Sequence, residues 1–193
     1  RVDMVTFTGS TLVGKRIMVA AAENVKKVFL ELGGKSALIL LDDANFDIGI
    51  LHALGVCYHA GQGCAIPTRM LVPRSRYAEA AEKLTPIFKG MTYGDPTDTR
   101  HIMGPVINRK QYDKILGMIR AGVEEGATLA AGGHPAPDRM QGFFIQPTLF
   151  TDVHNDMSIA RQEIFGPVMV MIPFEDDDDA VRDFGNHAEV VRD

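Results

Sequence analysis

Residues 28–41 have the sequence VFLELGGKSALILL. In the first half of this stretch aliphatic side chains recur at every second position, so a strand would turn Glu31 to the face opposite them. Gly33 and Gly34 then end the strand. The apolar run from Ser36 to Leu41 is typical of a second strand covered on both faces. The stretch therefore predicts two strands separated by a glycine break.

A strand, a turn and a helix precede this stretch. The run from Val2 to Phe7 alternates apolar side chains, and Thr8-Gly9-Ser10 ends it. Ser10 is a good N-cap residue. Apolar residues at helical spacing follow it, namely Val13, Ile17, Ala20 and Ala21. The segment predicts one strand-turn-helix unit whose helix N-terminus points back at the strand end.

Downstream, helical and extended patterns alternate. Three predicted helices rest on apolar stripes at Phe46, Ile50, Ala53, Leu54 and Cys57, at Tyr77, Ala81, Leu84 and Phe88, and at Tyr112, Ile115, Ile119 and Val123. Short strands are predicted at residues 69–73, 127–131, 143–150 and 168–172. The acidic run at 175–179 predicts a solvated first helical turn. This alternation predicts an α/β fold with a largely parallel sheet.

The composition narrows the class of protein. Of 193 residues, 46% are hydrophobic and 23% charged, which is enough apolar material for one sizeable core or two small ones. The net charge of -5 lacks the basic excess of a nucleic-acid binder. Apolar runs are too short to cross a bilayer, and two cysteines cannot form a disulfide framework. We therefore expect a cytoplasmic protein without nucleic-acid or membrane partners.

Cys64 ends the sequence Gly61-Gln62-Gly63-Cys64, between a predicted helix and a predicted strand. Its small neighbours would let a substrate reach the sulfur and let backbone N–H groups approach a developing oxyanion. The same pattern fits a small turn residue, and this feature taken alone favours that interpretation. Cys57 lies on the apolar stripe of its helix, which predicts an inert core residue.

Glu31 and the turn before the first helix each have two interpretations. Glu31, flanked by leucines and followed by two glycines, fits a general base with a raised pKa. It fits a strand-edge carboxylate facing water equally well. Gly9 and Ser10 fit a diphosphate site at a helix N-terminus, and they fit ordinary helix capping equally well.

Three other kinds of site receive little support. The segment from Gly33 to Ser36 is not a phosphate-binding loop, because Phe29 occupies the position of the required upstream glycine. The six histidines lack the spacing of zinc ligands, so we expect no metal site. His59 lies five residues before Cys64, which leaves a Cys–His hydrolase as a minor alternative.

Four motifs occur in order: FTGSTLVG at 7–14, LELGGKS at 30–36, GQGC at 61–64 and QEIFGPV at 162–168. Together they closely resemble the NAD(P)-dependent aldehyde dehydrogenase superfamily. The sequence FFIQPTL at 143–149 and Gly104-Pro105 also resemble landmarks of this family. The resemblance covers residues 1 to about 174.

The resemblance implies catalytic roles for two residues. Cys64 would be the nucleophile that attacks the aldehyde carbonyl to form a thiohemiacetal, and its backbone amide would be one oxyanion donor. Hydride would pass to the nicotinamide, which leaves a thioester on Cys64. Glu31 would be the general base that activates water for hydrolysis to the carboxylic acid. Glu31 favours hydrolysis over acyl transfer to coenzyme A, because the latter branch generally lacks this base.

The resemblance also implies a site for NAD or NADP. Gly9 and Ser10 match the turn and helix start that hold the diphosphate. Glu163 matches the carboxylate that accepts hydrogen bonds from the nicotinamide ribose, and Phe165 matches the aromatic residue beside the ring. Taken alone, Glu163 would be a surface acid and Phe165 a core residue. The implied substrate is an aldehyde, and the implied assembly is a homo-oligomer, a dimer or a tetramer.

By this resemblance, residues 1–33 are the end of a coenzyme-binding domain and residues 34–193 are a truncated catalytic domain. Family members are more than twice this length, so we expect a fragment that lacks the earlier Rossmann strands, an upstream oxyanion-hole Asn and the arm that builds the oligomer. His59 stands where the family often has Asn, and no role is transferred beyond Phe174. The alternative hypothesis is a catalytically inert fragment with a structural or assembly role.

Overall fold

The computed structural model describes residues 2–136 and 141–185, which contain two sheets. The first is a two-stranded parallel sheet, in which helix α1 connects the strands: β1 (Met4–Thr8), α1 (Thr11–Ala22) and β2 (Lys27–Glu31). Thr8 pairs with Glu31, and the amide of Gly9 donates a hydrogen bond to the carbonyl oxygen of Glu31 at 3.0 Å. Both strands therefore end side by side at one edge.

The turn after β1 forms as the sequence predicts. Ser10 is the N-cap of α1, and its side-chain oxygen accepts a hydrogen bond from the amide of Val13 at 3.4 Å. On β2, Val28 and Leu30 are half-buried, whereas Glu31 is exposed on the opposite parity. The predicted strand-turn-helix unit and the alternation around Glu31 are both confirmed.

The second sheet has five strands in the spatial order β3-β4-β7-β6-β5, all parallel to their neighbours except β5. The strands are β3 (Ala37–Ile39), β4 (Arg69–Pro73), β5 (Thr128–Ala131), β6 (Thr148–Thr151) and β7 (Val168–Phe174). The helices that accompany it are α2 (Phe46–Gly49), α3 (Tyr77–Gly90), α4 (Arg109–Glu124), α5 (Ser158–Arg161) and α6 (Asp177–Gly185), with 3-10 helices at Ile50–Gly61 and Arg74–Arg76. The predicted α/β fold is confirmed.

The core lies around the two central strands of this sheet. Every residue of β4 is buried, and so is every residue of β7 except Pro173, which is half-buried. Helix α3 buries Leu84 and Phe88, and α4 buries Ile115 and Ile119. Burial on both faces explains why these central strands are almost entirely apolar.

One prediction at the N-terminal side of the second sheet is confirmed in part, and another needs correction. The run from Ser36 to Leu41 forms β3, an edge strand whose residues are half-buried. Leu38 packs against the main core and Ala37 and Ile39 against a smaller apolar cluster, so both faces of the strand have apolar partners. The stripe that begins at Phe46 does not form one α-helix. It forms α2 and then a 3-10 helix, with a kink where Tyr58 adopts an extended conformation.

Two further predictions concern later segments. The strand predicted for 143–150 begins only at Thr148, since Pro147 has no N–H to donate to a ladder. The acidic run is confirmed as a first helical turn, with Asp177, Asp178 and Asp179 at the start of α6. The end of the predicted catalytic domain, residues 186–193 with His187, lies outside the described residues. Within the described ones, no helix is long and apolar enough to cross a membrane.

Arg69, the first residue of β4, is fully buried and connects three segments. Its Nε donates to the carbonyl oxygen of Lys35 at 3.1 Å. Its Nη1 donates to Asn155 Oδ1 at 2.9 Å and to the carbonyl oxygen of Asp183 at 2.7 Å, and its Nη2 donates to the carbonyl oxygen of Phe184 at 3.3 Å. The guanidinium thereby connects Lys35, which follows Gly33 and Gly34, to the end of α6 by hydrogen bonds.

The substitution Arg69→Met is expected to lower the free energy of unfolding by about 3 kcal/mol, because it leaves the buried carbonyl oxygen of Lys35 and the half-buried Oδ1 of Asn155 without their donor. Urea unfolding of the 193-residue chain measures this change. The matched control is Arg120→Met, which removes an exposed arginine of α4. Equal unfolding midpoints for the two variants would contradict the role assigned to Arg69.

Candidate active site

A cleft of about 450 Å³ lies where β1 and β2 end. Every residue that the sequence motifs single out lines this cleft: Gly9, Ser10, Glu31, Cys64, Glu163 and Phe165. The first three come from the two-stranded sheet and its turn, and the last three come from loops beside the five-stranded sheet. Residues distant in sequence are thus brought together at one place.

The parallel register of β1 and β2 explains the first part of the lining. Because Thr8 pairs with Glu31, the turn that follows β1 lies beside the carboxyl end of β2. Gly9 and Ser10 therefore line the same cleft as the Glu31 side chain. The first turn of α1 carries no acidic residue, so its free N–H groups favour an anion.

Cys64 follows a turn with an unusual backbone. His59, Ala60 and Gly61 have φ angles of 53°, 52° and 70°, three consecutive left-handed residues. A Cβ built on Gly61 would lie 1.9 Å from the carbonyl oxygen of Gly166, so only glycine allows this contact between two backbones. The contact holds the turn before Cys64 against the segment that carries Phe165.

The side chain of Gln62 fixes the same turn. Its Nε2 donates to the carbonyl oxygen of His59 at 3.0 Å, and its Oε1 accepts from the amide of Ile107 at 3.0 Å. Within the part of the chain that the structure describes, no hydrogen bond joins the His59 side chain to Cys64. The geometry therefore gives no support to the Cys–His alternative.

The two cysteines have different environments. Cys64 is exposed, whereas Cys57 is completely buried. Burial raises the pKa of the Cys57 thiol to about 12, because the thiolate would lose its hydration. Cys57 is thus an inert core residue, as predicted from its place on the apolar stripe, and Cys64 is the exposed thiol.

The wall opposite the strands consists of the segment from Glu163 to Phe165. Phe165 has a φ of 57°, a left-handed conformation that is strained for a residue with a large side chain. Gln111 Nε2 donates to the carbonyl oxygens of Ile164 and Phe165 at 2.9 and 2.8 Å. Lys114 Nζ donates to the carbonyl oxygen of Glu163 at 2.7 Å. Helix α4 thereby fixes the backbone of this wall.

Sequence analysis missed Gln111 and Lys114, although both line the cleft. They are spaced i, i+3 on α4, so they share a face of the helix. Burial lowers the pKa of Lys114, and the carboxylate of Glu163 opposes this shift. Polar residues three apart beside an apolar stripe are common on helices, so the sequence held no specific signal for them.

The carboxylate of Glu163 packs on the glycine break. A Cβ built on Gly33 would lie 2.4 Å from Glu163 Oε2, so a side chain at this position would displace the carboxylate. The described residues contain no group of three or more His, Cys, Asp or Glu side chains that could hold a metal ion. The chemistry gathered in the cleft is one thiol, two carboxylates, the amine of Lys114, the amides of Gln62 and Gln111, and a helix N-terminus suited to an anion.

Comparison with known proteins places this geometry in a family. The model of the aldehyde dehydrogenase family matches residues 1–190. The chain is 44% identical over 183 residues to 3-succinoylsemialdehyde-pyridine dehydrogenase from a Pseudomonas species, and 47% identical over 182 residues to betaine aldehyde dehydrogenase from Brucella anthropi. These matches cover 94% and 92% of this chain, and 38% and 37% of the relatives.

Solved structures give the same result. An aldehyde dehydrogenase from Mycobacterium tuberculosis, complexed with NAD+, superposes with a TM-score of 0.92 at 44% identity, over 96% of this chain and 38% of that one. The NAD+ complex of an aldehyde dehydrogenase from Bacillus cereus superposes with the same TM-score at 41% identity and with the same coverage. The chain spans less than two-fifths of the length of these relatives, and it belongs to the aldehyde dehydrogenase family.

Proposed function

We propose that this chain supplies the nucleophile and the general base of an enzyme that oxidises an aldehyde to a carboxylic acid with NAD+ or NADP+. The observation that carries the proposal is that Cys64 and Glu31, which are far apart in sequence, line one cleft. An exposed thiol and a carboxylate in one cleft are the groups needed to form and then hydrolyse a thioester.

Cys64 performs the first step. Its thiolate attacks the carbonyl carbon of the aldehyde, a C–S bond forms, and the carbonyl π electrons move to oxygen. Within residues 2–136 and 141–185, the backbone N–H of Cys64 donates to no other group, so it is available to the oxyanion. The small neighbours of Cys64 leave room for the substrate carbonyl.

The residues in the cleft fit a dinucleotide. Gly9 and Ser10, at the N-terminus of α1, would hold the diphosphate. The carboxylate of Glu163 would accept hydrogen bonds from the nicotinamide ribose, and the half-buried Phe165 would contact the nicotinamide ring. When bound, the cofactor supplies the hydride acceptor that turns the thiohemiacetal into a thioester.

Glu31 performs the last step. Its carboxylate removes a proton from water, the resulting hydroxide attacks the thioester carbonyl, and the C–S bond breaks to release the acid and the Cys64 thiolate. Glu31 is exposed and lines the cleft, so water reaches it. These two residues thus divide the chemistry between bond formation and hydrolysis.

We also propose that residues 1–33 belong to a coenzyme-binding domain and residues 34–193 to the catalytic domain. Support comes from the separation of the two sheets, since β2 ends at Glu31 and β3 begins at Ala37. The family resemblance supports a homo-oligomer as the working form, and the cytoplasmic location is proposed from the composition of the chain.

A second hypothesis is that the 193 residues alone are catalytically inert. Met4 is 57% exposed and Phe29 is 63% exposed, so one face of the β1–β2 sheet is uncovered in this chain. The relatives that the chain matches are much longer. Both observations favour a cofactor site that needs further protein to bind with useful affinity.

The inert hypothesis makes a direct prediction. We expect the purified 193-residue chain to produce no NADH from NAD+ and an aldehyde, as followed at the absorbance of the reduced cofactor. The positive control is a longer protein that contains these 193 residues and has the full length of the relatives. Sustained turnover by the 193-residue chain would contradict the prediction.

Thiol reactivity provides a test that requires no cofactor. Iodoacetamide at pH 8 is expected to alkylate Cys64 and to leave Cys57 unmodified, because Cys57 is buried and its pKa is raised. Peptide mass spectrometry of the native chain locates the label. Cys64→Ser should abolish labelling, whereas Cys57→Ala should not change it. Preferential labelling of Cys57 would overturn the assignment of the nucleophile.

Two substitutions in the longer protein separate the catalytic steps. Cys64→Ser should abolish NADH formation altogether, since no thiohemiacetal forms. Glu31→Gln should retain one rapid turnover of NADH and lower the steady-state rate by about 100-fold or more, because the thioester is no longer hydrolysed. Stopped-flow absorbance separates the burst from the steady state, with Cys57→Ala as the control. Normal steady-state activity of either active-site variant would refute the proposal.

A further inference from the structure

Three segments meet beside the cleft, and each contacts the other two. The turn before the exposed thiol lies against the residue that follows the cleft wall, since the backbones of Gly61 and Gly166 meet. Helix α4 binds the wall, because Gln111 Nε2 donates to the carbonyl oxygen of Phe165 at 2.8 Å. The third contact, between the turn and the segment that leads into α4, is made by the side chain of Gln62.

The two hydrogen bonds of the Gln62 side chain differ in reach. Its Nε2 donates to the carbonyl oxygen of His59 at 3.0 Å, and the backbone amide of Gln62 donates to the same oxygen at 3.1 Å. This local bond therefore duplicates one that the backbone makes. Its Oε1 accepts from the amide of Ile107 at 3.0 Å, 45 residues along the chain. The second bond is thus the one that connects two distant segments.

Ile107 lies immediately before the helix that fixes the cleft wall. Asn108 is the N-cap of α4, and its side chain accepts from the amide of Gln111 at 2.9 Å. The side chains of Gln111 and Lys114 then donate to three consecutive carbonyl oxygens of the wall. The amide that Gln62 binds is therefore part of the backbone that leads directly into the start of this helix.

The turn that Gln62 holds has an unfavourable conformation. His59 and Ala60 have φ angles of 53° and 52°, and both carry a Cβ, which disfavours the left-handed region. Such conformations persist only where the surrounding contacts hold them. The backbone contact at Gly61 holds one point of the turn, and a single point leaves rotation about it free. The Gln62 bond adds a second point, and Cys64 follows two residues later.

We propose that Gln62 is a positioning residue: the hydrogen bond that its Oε1 accepts from the Ile107 amide locks the turn before Cys64 to the helix that fixes the cleft wall. The thiol is thereby held at the distance from the nicotinamide ring that hydride transfer needs. This inference rests on the proposed function, which assigns Cys64 as the nucleophile and Phe165 as the residue beside the ring. Gln62 acts through the backbone of the turn rather than on the reacting atoms.

The first measurement needs no cofactor. NMR of the 193-residue chain, labelled with 15N, follows exchange of the Ile107 amide proton with solvent. Ile107 is 76% exposed, so Gln62→Met should speed this exchange by about tenfold or more, because the amide loses its acceptor. Gln62→Glu should not speed it, since a carboxylate oxygen still accepts there. Gln141→Met, which replaces an exposed glutamine outside the cleft, is the control and should leave the exchange unchanged.

The second measurement uses the longer protein with an aldehyde and NAD+. All variants carry Glu31→Gln, so that stopped-flow absorbance records a single burst of NADH. Gln62→Met should lower the rate constant of this burst by about tenfold or more, because misplaced reacting groups slow the step. Gln62→Glu should keep the rate constant within about threefold, since it retains the link to Ile107. Gln141→Met should leave it unchanged.

Two features of this measurement separate positioning from stability and from cofactor binding. Loss of folded protein lowers the amplitude of the burst but not its rate constant. NADH binding, followed by fluorescence, should change by less than about twofold in Gln62→Met, because Gln62 acts on the turn and not on the cofactor. Gln62→Leu replaces Gln62→Met if the latter does not fold.

The outcomes are distinguishable. Unchanged exchange of the Ile107 amide in Gln62→Met overturns the proposal, whatever the enzyme activity. Faster exchange with an unaltered burst rate constant also overturns it, since the link is then only structural. Equal losses in Gln62→Met and Gln62→Glu would assign the effect to the bond with His59 instead, and weaker NADH binding would assign it to the cofactor. Absence of any burst in the longer protein with Glu31→Gln alone overturns the proposed function, and the positioning role with it.

Discussion

The contact between the backbones of Gly61 and Gly166 determines the geometry of the cleft. A Cβ at residue 61 would overlap the Gly166 carbonyl oxygen, and the positive φ of Gly61 excludes other side chains for a second reason. Because of this contact, the turn before Cys64 lies directly on the segment that carries Phe165 and Gly166. The thiol and the aromatic wall are therefore positioned relative to each other by a contact between main-chain atoms.

The remaining parts of the site depend on the register of two parallel strands. Pairing of Thr8 with Glu31 places a helix N-terminus and a carboxylate at one edge, facing the thiol. The glycine break after β2 then allows the Glu163 carboxylate to pack against Gly33. Each close approach requires the absence of a side chain, which explains why the chemistry lies among glycines.

Much of the fold and of the cleft could be predicted from the sequence, and what was missed has a physical cause. The order of four motifs specified the family, and the alternation on β2 specified the face of Glu31. Periodicity reports which face of an element is apolar but not what lies beside it. It therefore gave no sign that the apolar stripe beginning at Phe46 breaks at a kink at Tyr58. It also gave no sign of Gln111 or Lys114, whose partners lie about fifty residues further along the chain.

The outer edges of the two-stranded sheet affect how the molecule behaves in concentrated solution. In the described part of the chain, β1 and β2 pair only with each other, so each strand has an outer row of backbone N–H and C=O groups without a strand neighbour. Apolar side chains such as Phe29 stand beside these rows. Such edges readily recruit strands from other molecules. Concentrated solutions of the 193-residue chain are thus prone to self-association through this ribbon.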